Sequence, residues 1–469
     1  MVHRRTFLKQ IAITPFLFSN AQLLLAPLET KKDVVFYNLD HPDFAKVITT
    51  WNKRIKKEPA ILALCNTPAG VQLALRQARE KKYKVTIKSG GHCFEGFCLN
   101  DGGMVVDVSP MKTLSMDAQH QVSAGAGNTV ASLYDFIIPK NRFIASGSCG
   151  SVGLGGITLG GGYGFCSRQY GLTCDHLAEV QMVTAQGELV SSKQDPELLW
   201  ACKGGGKGNF GVITKMIYKT HPAPTQFTSF RLRYLDVPPQ RAAALLEQWM
   251  EACKKLSLAT FASFGFVRNN IGMLVTNTSN DPKSDTKDFR DIFRASADEY
   301  REKKPDPLLN GLKRYYGSGS PTTIKNISGG YYSGFSEVKP FFTQVYETIS
   351  KLSDMGFKIN TQGGKINTPA HKTASAFPHR DKFFLGHLSS HIRNKEQEKE
   401  ILEIIETTKT LLAKSGVTAH YNNYPDRNFK NWEDYYYKDH YPRLQALKKR
   451  LDPTNMFEHP QSVRLPGSS

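Results

Sequence analysis

Glycine sets the first limit on what this chain can fold into. Half of residues 147–164 are glycine, in the order Gly147-Ser148-Cys149-Gly150-Ser151-Val152-Gly153-Leu154-Gly155-Gly156 and then Gly160-Gly161-Gly162-Tyr163-Gly164. Inside a helix or strand, each glycine costs roughly 0.5–1 kcal/mol relative to alanine. A simple turn needs only one or two. So much glycine implies backbone packed closely against something flat and large. Further clusters at 90–91, 102–103 and 204–211 extend the pattern.

Between the clusters run short strand-like segments at 85–88, 104–108, 180–183 and 212–218. Helices alternate with them. Val71, Leu75 and Ala78 make one apolar face between Pro68 and Lys82. Asp195-Pro196-Glu197 has a capping side chain followed by proline in the first turn. Residues 34–221 therefore read as an α+β domain whose loops approach a large ligand.

After Pro222 the texture changes. Alternation marks strands at 227–234, 261–267, 272–278, 358–362 and 382–391, and amphipathic helices at 241–256, 336–355 and 394–414. Residues 222–417 read as a second α+β domain, an antiparallel sheet covered by helices. Tyr, Asn, Asp and Trp crowd the tail, 418–466, which returns to the first domain. The hydrophobic fraction of 40% and charged fraction of 22% exclude disordered, collagenous and multi-span membrane chains.

The first residues read as an export label. Arg4-Arg5-Thr6-Phe7-Leu8-Lys9 resembles a bacterial twin-arginine signal, and residues 1–26 end on small residues that a signal peptidase could cut. The apolar run is broken by Pro15, Asn20 and Gln22 and is too short to span about 30 Å of hydrocarbon. The expectation is a periplasmic or secreted protein with no stable membrane insertion after signal removal. The twin-arginine route carries folded proteins with cofactor aboard. The net charge is +19, of which residues 1–26 supply three (Arg4, Arg5 and Lys9). The remaining excess is scattered rather than gathered in one arm, which argues against nucleic acid. It leaves open an anionic surface or an acidic substrate.

The eight cysteines, Cys65 to Cys253, lack the paired spacings of a zinc site, and no metal is expected. Cys93 and Cys98 could pair in an oxidising compartment. Gly206-Lys207-Gly208-Asn209-Phe210-Gly211 fits G-x-G-x-x-G, but a Rossmann fingerprint follows a strand and opens a helix. This one follows a helix and opens a strand. It reads as a turn whose backbone N–H groups face a phosphate.

Three motifs and the tail together resemble one family. Ser89-Gly90-Gly91-His92, the Cys149 stretch, Tyr421-Asn422-Asn423-Tyr424-Pro425-Asp426 and Asp452-Pro453-Thr454-Asn455-Met456-Phe457 stand in the family's order. Phe377-Pro378-His379-Arg380 and Gln461-Ser462 match further elements. The chain is similar to the FAD-linked oxidases of the berberine bridge enzyme family, within the vanillyl-alcohol-oxidase fold group, from about residue 34 to 466. The resemblance implies FAD bonded at His92 through the flavin 8α-methyl carbon and at Cys149 through flavin C6. It implies cofactor contacts at Ser89, Gly90, Gly91, Val152, Gly153, Gly155, Gly156, Asn209, Gly211, Val212 and Asn423.

It also implies a chemistry. The flavin accepts a hydride at N5 from an alcohol or hemiacetal carbon, and a base takes the hydroxyl proton. That base falls on Tyr424, with Tyr163 as a second active-site tyrosine. An ordinary tyrosine titrates at about 10, so Tyr424 requires activation. Period two places His387, Ser389 and His391 on one strand face. His387 is a candidate substrate-facing residue, the alternative being a core histidine. Tyr331, Tyr332 and Tyr435 to Tyr437 are candidate stacking platforms or core aromatics.

Two positions depart from the family. Cys93-Phe94 stands where Asp-Tyr is usual after the anchoring histidine, and Gly150 replaces the proline after the anchoring cysteine. Both put substrate identity in doubt. Val152 stands where a small residue is associated with oxygen reaching the flavin. The resulting expectation is an oxidase of a small-molecule substrate, with a saccharide as the leading class, and with molecular oxygen as acceptor giving hydrogen peroxide. The alternatives are a dehydrogenase of the same fold using another acceptor and an oxidase of a polycyclic secondary metabolite.

Overall fold

The computed structural model describes residues 33–467. The export-signal segment, residues 1–26, lies outside them. The fold is α+β, built from three main sheets.

The first sheet joins β1 (Val34–Asn38), β2 (Ile61–Cys65), β3 (Val85–Lys88) and β4 (Met104–Asp107), in the order β1-β2-β4-β3. β2, β4 and β3 run parallel, so the chain must cross over between β2 and β3. Helix Pro68–Glu80 makes that crossover. Thr67 caps it by accepting the Gly70 N–H, and Pro68 fits the first turn. Its expected apolar face is wholly buried: Val71, Ala74, Leu75 and Ala78 all pack into the core.

The second sheet holds β5 (Leu114–Met116), β6 (Val122–Gly125), β8 (Leu177–Val183), β9 (Leu189–Ser191) and β10 (Val212–Tyr218), in the order β5-β6-β10-β8-β9. A small pair, β7 (Arg142–Phe143) and β11 (His221–Pro222), lies beside it. Helix Pro196–Cys202 begins as the sequence implies, with Asp195 accepting the Leu198 N–H. The G-x-G-x-x-G turn indeed opens strand β10.

The third sheet is antiparallel throughout, seven-stranded and long. It contains β12 (Gln226–Tyr234), β13 (Thr260–Val267), β14 (Asn270–Asn277), β15 (Glu299–Pro307), β16 (Ile324–Tyr332), β17 (Met355–Thr361) and β18 (Phe384–His391). The order is β15-β12-β14-β13-β17-β18-β16. Helices Pro239–Lys254, Phe335–Ser350 and Lys395–Lys414 cover one face, sealing a core around Trp249, Phe264, Phe266, Phe357 and Tyr346. Helix Phe335–Ser350 stops short of the expected 355, because Met355 already pairs with Ser390 as the first residue of β17.

β15 and β16 have no counterpart in the sequence reading. β15 is a charged edge strand without apolar alternation. β16 contains Gly329-Gly330 and a register shift between Ser328 and Gly330, which hides its period. Tyr331 and Tyr332 are therefore strand residues buried in two cores, not stacking platforms. Tyr436 and Tyr437 are likewise core residues.

The sheet's other face turns toward the glycine-rich half. Phe165 meets the ring edges of Phe227, Phe261 and Tyr315 at centroid distances of 5.1–5.7 Å. The buried Arg168 guanidinium donates to the carbonyls of Leu256, Ser257 and Thr260. The tail stitches both halves. Ser328 N–H donates to Tyr424 O at one end, and Val85 N–H donates to Met456 O at the other. A buried Lys325 ammonium on β16 bridges Glu95 of the post-β3 loop and Asp426 of the tail.

Candidate active site

The loop after β3, the glycine stretch and the tail meet around one cleft. It holds about 1450 Å³ of space free of protein atoms, solvent at its mouth included. Ser89, Gly90, Gly91, His92, Cys149, Val152, Gly153, Gly155, Gly156, Gly211, Asn423, Tyr163 and Tyr424 all line it.

Two glycine loops lie back to back along its wall. A Cβ on Gly90 would stand 2.4 Å from Gly153 N, and one on Gly153 would stand 2.4 Å from Gly90 N. Ser89 Oγ fastens the first loop by donating to Ala126 O at 2.7 Å. At Gly156 a Cβ would meet nothing within 4 Å. That residue leaves the wall open toward the cleft.

His92 stacks on Trp51 at 4.8 Å. Burial lowers its pKa to about 4, so the imidazole is neutral and its nitrogen lone pair is available. Cys149 is an exposed, free thiol on the same cleft, and partial burial raises its pKa. A neutral imidazole, a thiol and a glycine-lined wall fit the group that the resemblance implies. Gly150 has a local reason to lack a side chain: a Cβ there would lie 2.5 Å from the Tyr316 ring.

At the far end stands a tyrosine pair. Tyr163 Oη and Tyr424 Oη are 2.9 Å apart. Asn360 Nδ2, from β17, donates to Tyr163 Oη at 3.0 Å. Either hydroxyl can donate in the bond between the two tyrosines, since Tyr163 Oη keeps a second acceptor position beside the one Asn360 fills. Gly161 and Gly162 make the approach, with φ of +111° and +80°. Only glycine adopts such angles freely, and the Gly162 N–H donates to Tyr421 Oη. Rings fix the orientation of Tyr424. Phe94 and Tyr421 present edges at 5.9 and 5.1 Å, and His387 stacks at 5.3 Å. Burial raises both hydroxyls, Tyr163 to about 12 and Tyr424 well above its ordinary value. Both are therefore protonated at neutral pH.

His387 stands behind Tyr424 rather than on the cleft wall. Both of its ring nitrogens are buried without a hydrogen-bond partner, and burial lowers its pKa to about 3. Asn209 and Val212 are corrections to the sequence reading, because neither reaches the cleft. The Asn209 amide bonds Gly205 O and Val463 N inside the core, and Val212 is fully buried on β10. Asn423 lines the cleft. Its Oδ1 accepts from Lys207 Nζ at 2.9 Å and its Nδ2 donates to Ile157 O.

No motif in the sequence marks Lys207 or Asn360 as a site residue. Lys207 lies within the glycine turn, and burial lowers its pKa to about 8. Asn360 was legible only as a strand residue.

Known proteins resemble this chain over most of its length. A family model described as an FAD binding domain matches residues 59–193, and one described as Berberine and berberine like matches 420–464. A chitooligosaccharide oxidase of Gibberella zeae is 26% identical over 445 residues, which cover 89% of this chain and 89% of that protein. An aclacinomycin-N/aclacinomycin-A oxidase of Streptomyces galilaeus is 28% identical over 481 residues, covering 89% of this chain and 87% of the other. The solved structure of Physcomitrella patens BBE-like 1 matches with a TM-score of 0.83 at 23% identity, over 93% of this chain and 98% of that one. His92 and Cys149 fall in the first matched segment, and Tyr424 in the second.

Proposed function

The chain belongs to the berberine bridge enzyme-like FAD-linked oxidoreductases, and from that premise we propose that it oxidises an alcohol or hemiacetal carbon of a saccharide. We propose further that His92 and Cys149 tether the FAD covalently. The observation that carries the reading is that both groups face one cleft, which ends at the Tyr163–Tyr424 pair. When bound, FAD supplies the acceptor for the two electrons of the broken C–H bond, taken as hydride.

The chain's own residues handle the proton. Tyr424 Oη, in the fraction of the enzyme that carries it as the phenolate, takes the substrate hydroxyl proton as the base. The donor from Tyr163 stabilises a phenolate there, because hydrogen bonding to a charged form favours it. Asn360 holds the Tyr163 oxygen in place beside Tyr424. Phe94, Tyr421 and His387 hold the Tyr424 ring and exclude water from its faces.

A saccharide is the proposed substrate class. Its support is an open cleft with aromatic walls and the similarity to a chitooligosaccharide oxidase. The similarity to an aclacinomycin oxidase supports a second reading, a polycyclic metabolite. Oxygen is the proposed acceptor, giving hydrogen peroxide, with Val152 on the cleft wall as support. We place the enzyme in the periplasm or outside the cell on the strength of Arg4 and Arg5.

The purified protein should be yellow and keep its colour through acid precipitation. Release of all flavin into the supernatant would end the covalent reading. Turnover with oligosaccharides under air should yield peroxide; dye reduction without peroxide would make the enzyme a dehydrogenase. Tyr424→Phe should lower kcat by about 10²–10⁴-fold with flavin retained, and unchanged turnover would remove Tyr424 from the base role.

A further inference from the structure

Alternation along β17 puts Lys358 on the same sheet face as Asn360, whose amide reaches Tyr163. Lys358 pairs across the sheet with His387 on β18, and His387 stacks on Tyr424. On its other side Lys358 pairs with Gly265 of β13, and Gly265 pairs with Gly272 of β14. A Cβ on Gly265 would lie 3.4 Å from Lys358 Cβ and Cγ, and one on Gly272 would meet nothing within 4 Å. Two glycines thus floor a trough across two strands, leading to the tyrosine pair.

The trough's far wall is β12, where Arg233 pairs with Gly272 and Arg231 with Leu274. Arg233 is neutralised by Glu299. Among the described residues, neither Arg231 nor Lys358 has a carboxylate at ion-pair distance; Arg231 lies over the Tyr315 ring at 5.6 Å. Both are exposed on their strands. Arg231 is near enough to lower the Lys358 pKa, alongside the larger effect of desolvation. His387 adds two buried nitrogens with no partner. Two unpaired cations therefore face one open groove with no carboxylate at ion-pair distance among the described residues.

We propose that this trough binds an anionic substituent of the substrate, a carboxylate or a sulfate ester, between Lys358 and Arg231, so that the oxidised saccharide is an acidic one. The inference rests on the reading of the cleft as a saccharide-oxidising site. A chain that keeps a large positive charge would also draw such substrates from a distance.

The test uses the flavin-loaded Tyr424→Phe enzyme, titrated calorimetrically with galacturonate oligomers, sulfated galactan oligomers and neutral galactan oligomers. Wild-type kcat/KM is measured for the same three. One or both charged ligands should bind at least about tenfold more tightly than the neutral one, a single charge-assisted contact's worth. The stronger of the two identifies the anion. The advantage should vanish at about 0.5 M salt and in Lys358→Gln and Arg231→Gln, and persist in Lys358→Arg. Equal affinity for charged and neutral oligomers overturns the proposal, as does an advantage that survives both glutamine substitutions. Tight anion binding with no saccharide oxidised would leave this inference standing and end the oxidation reading. Preferred oxidation of the neutral oligomer would do the reverse.

Discussion

At the scale of single residues, the proton chemistry depends on the direction of one O–H bond. Asn360 donates to Tyr163 Oη and so holds it where its proton can turn to Tyr424 once Tyr424 is ionised. Asn360→Leu removes the donor and frees the Tyr163 hydroxyl to rotate. A hydrogen bond donated to the phenolate lowers its pKa, so its loss must raise the pKa of Tyr424 further. The rising limb of kcat against pH should then move to higher pH, with kcat down about tenfold at neutral pH. Steady-state kinetics across pH would check this; an unmoved limb with normal flavin content would make Asn360 structural only. The two tyrosines were legible because each sits in a motif. Asn360 was not, since a strand pattern tells which residues share a face but not what that face meets. Asn209 and Val212 fail for the complementary reason: a motif marks the neighbourhood of a cofactor, and packing decides which members reach it.

At the scale of elements, glycine does two different jobs that look alike in sequence. Gly90 and Gly153 let two loops touch backbone to backbone. Gly156, in helix Leu154–Leu159, keeps open the space a flat ring needs. A methyl group tells them apart. Gly153→Ala drives Cβ into the Gly90 backbone and should cost about 1–3 kcal/mol of stability, as overpacking typically does. Gly156→Ala removes a helical glycine and should leave melting unchanged or raised, by up to about 1 kcal/mol, while lowering bound flavin. Thermal melting read beside the flavin-to-protein absorbance ratio separates the two; equal melting losses in both variants would contradict the assignment. The glycine clusters, the crossover helix and the helix-covered antiparallel sheet were all readable from spacing and alternation. β15 was not, because an edge strand wetted on one side carries charge in place of a period. β16 was not, because its bulge breaks the alternation.

At the scale of the whole molecule, the chain holds many histidines neutral inside the fold. Burial keeps His176, His379, His387 and His459 near 3 and His420 near 4. These residues sit at junctions. His176 Nε2 accepts the Ala145 N–H, which a protonated ring cannot do, and His459 stacks on Phe97 at the cleft wall. In the unfolded chain each would titrate near 6.5. From about 6.5 down to 3 or 4 the unfolded chain therefore binds more protons than the native one, so stability falls as pH falls. Each histidine contributes up to about 1.4 kcal/mol per pH unit in that window. Five together reach at most about 14 kcal/mol within two units, the size of the roughly 5–15 kcal/mol of net stability typical of a domain. Asp175 and Asp426, held below the usual carboxylate range against burial by Arg380 and by Lys325 and Lys409, add their loss only at still lower pH. The melting temperature should hold above about pH 7, fall steeply between about pH 6.5 and 5, and reach unfolding at ambient temperature before the carboxylates titrate. Calorimetric melting from about pH 7.5 to 4.5 measures it. A melting temperature flat down to pH 5 would mean that these rings take up protons without leaving the fold, and that the junctions they occupy are wetter than their packing shows.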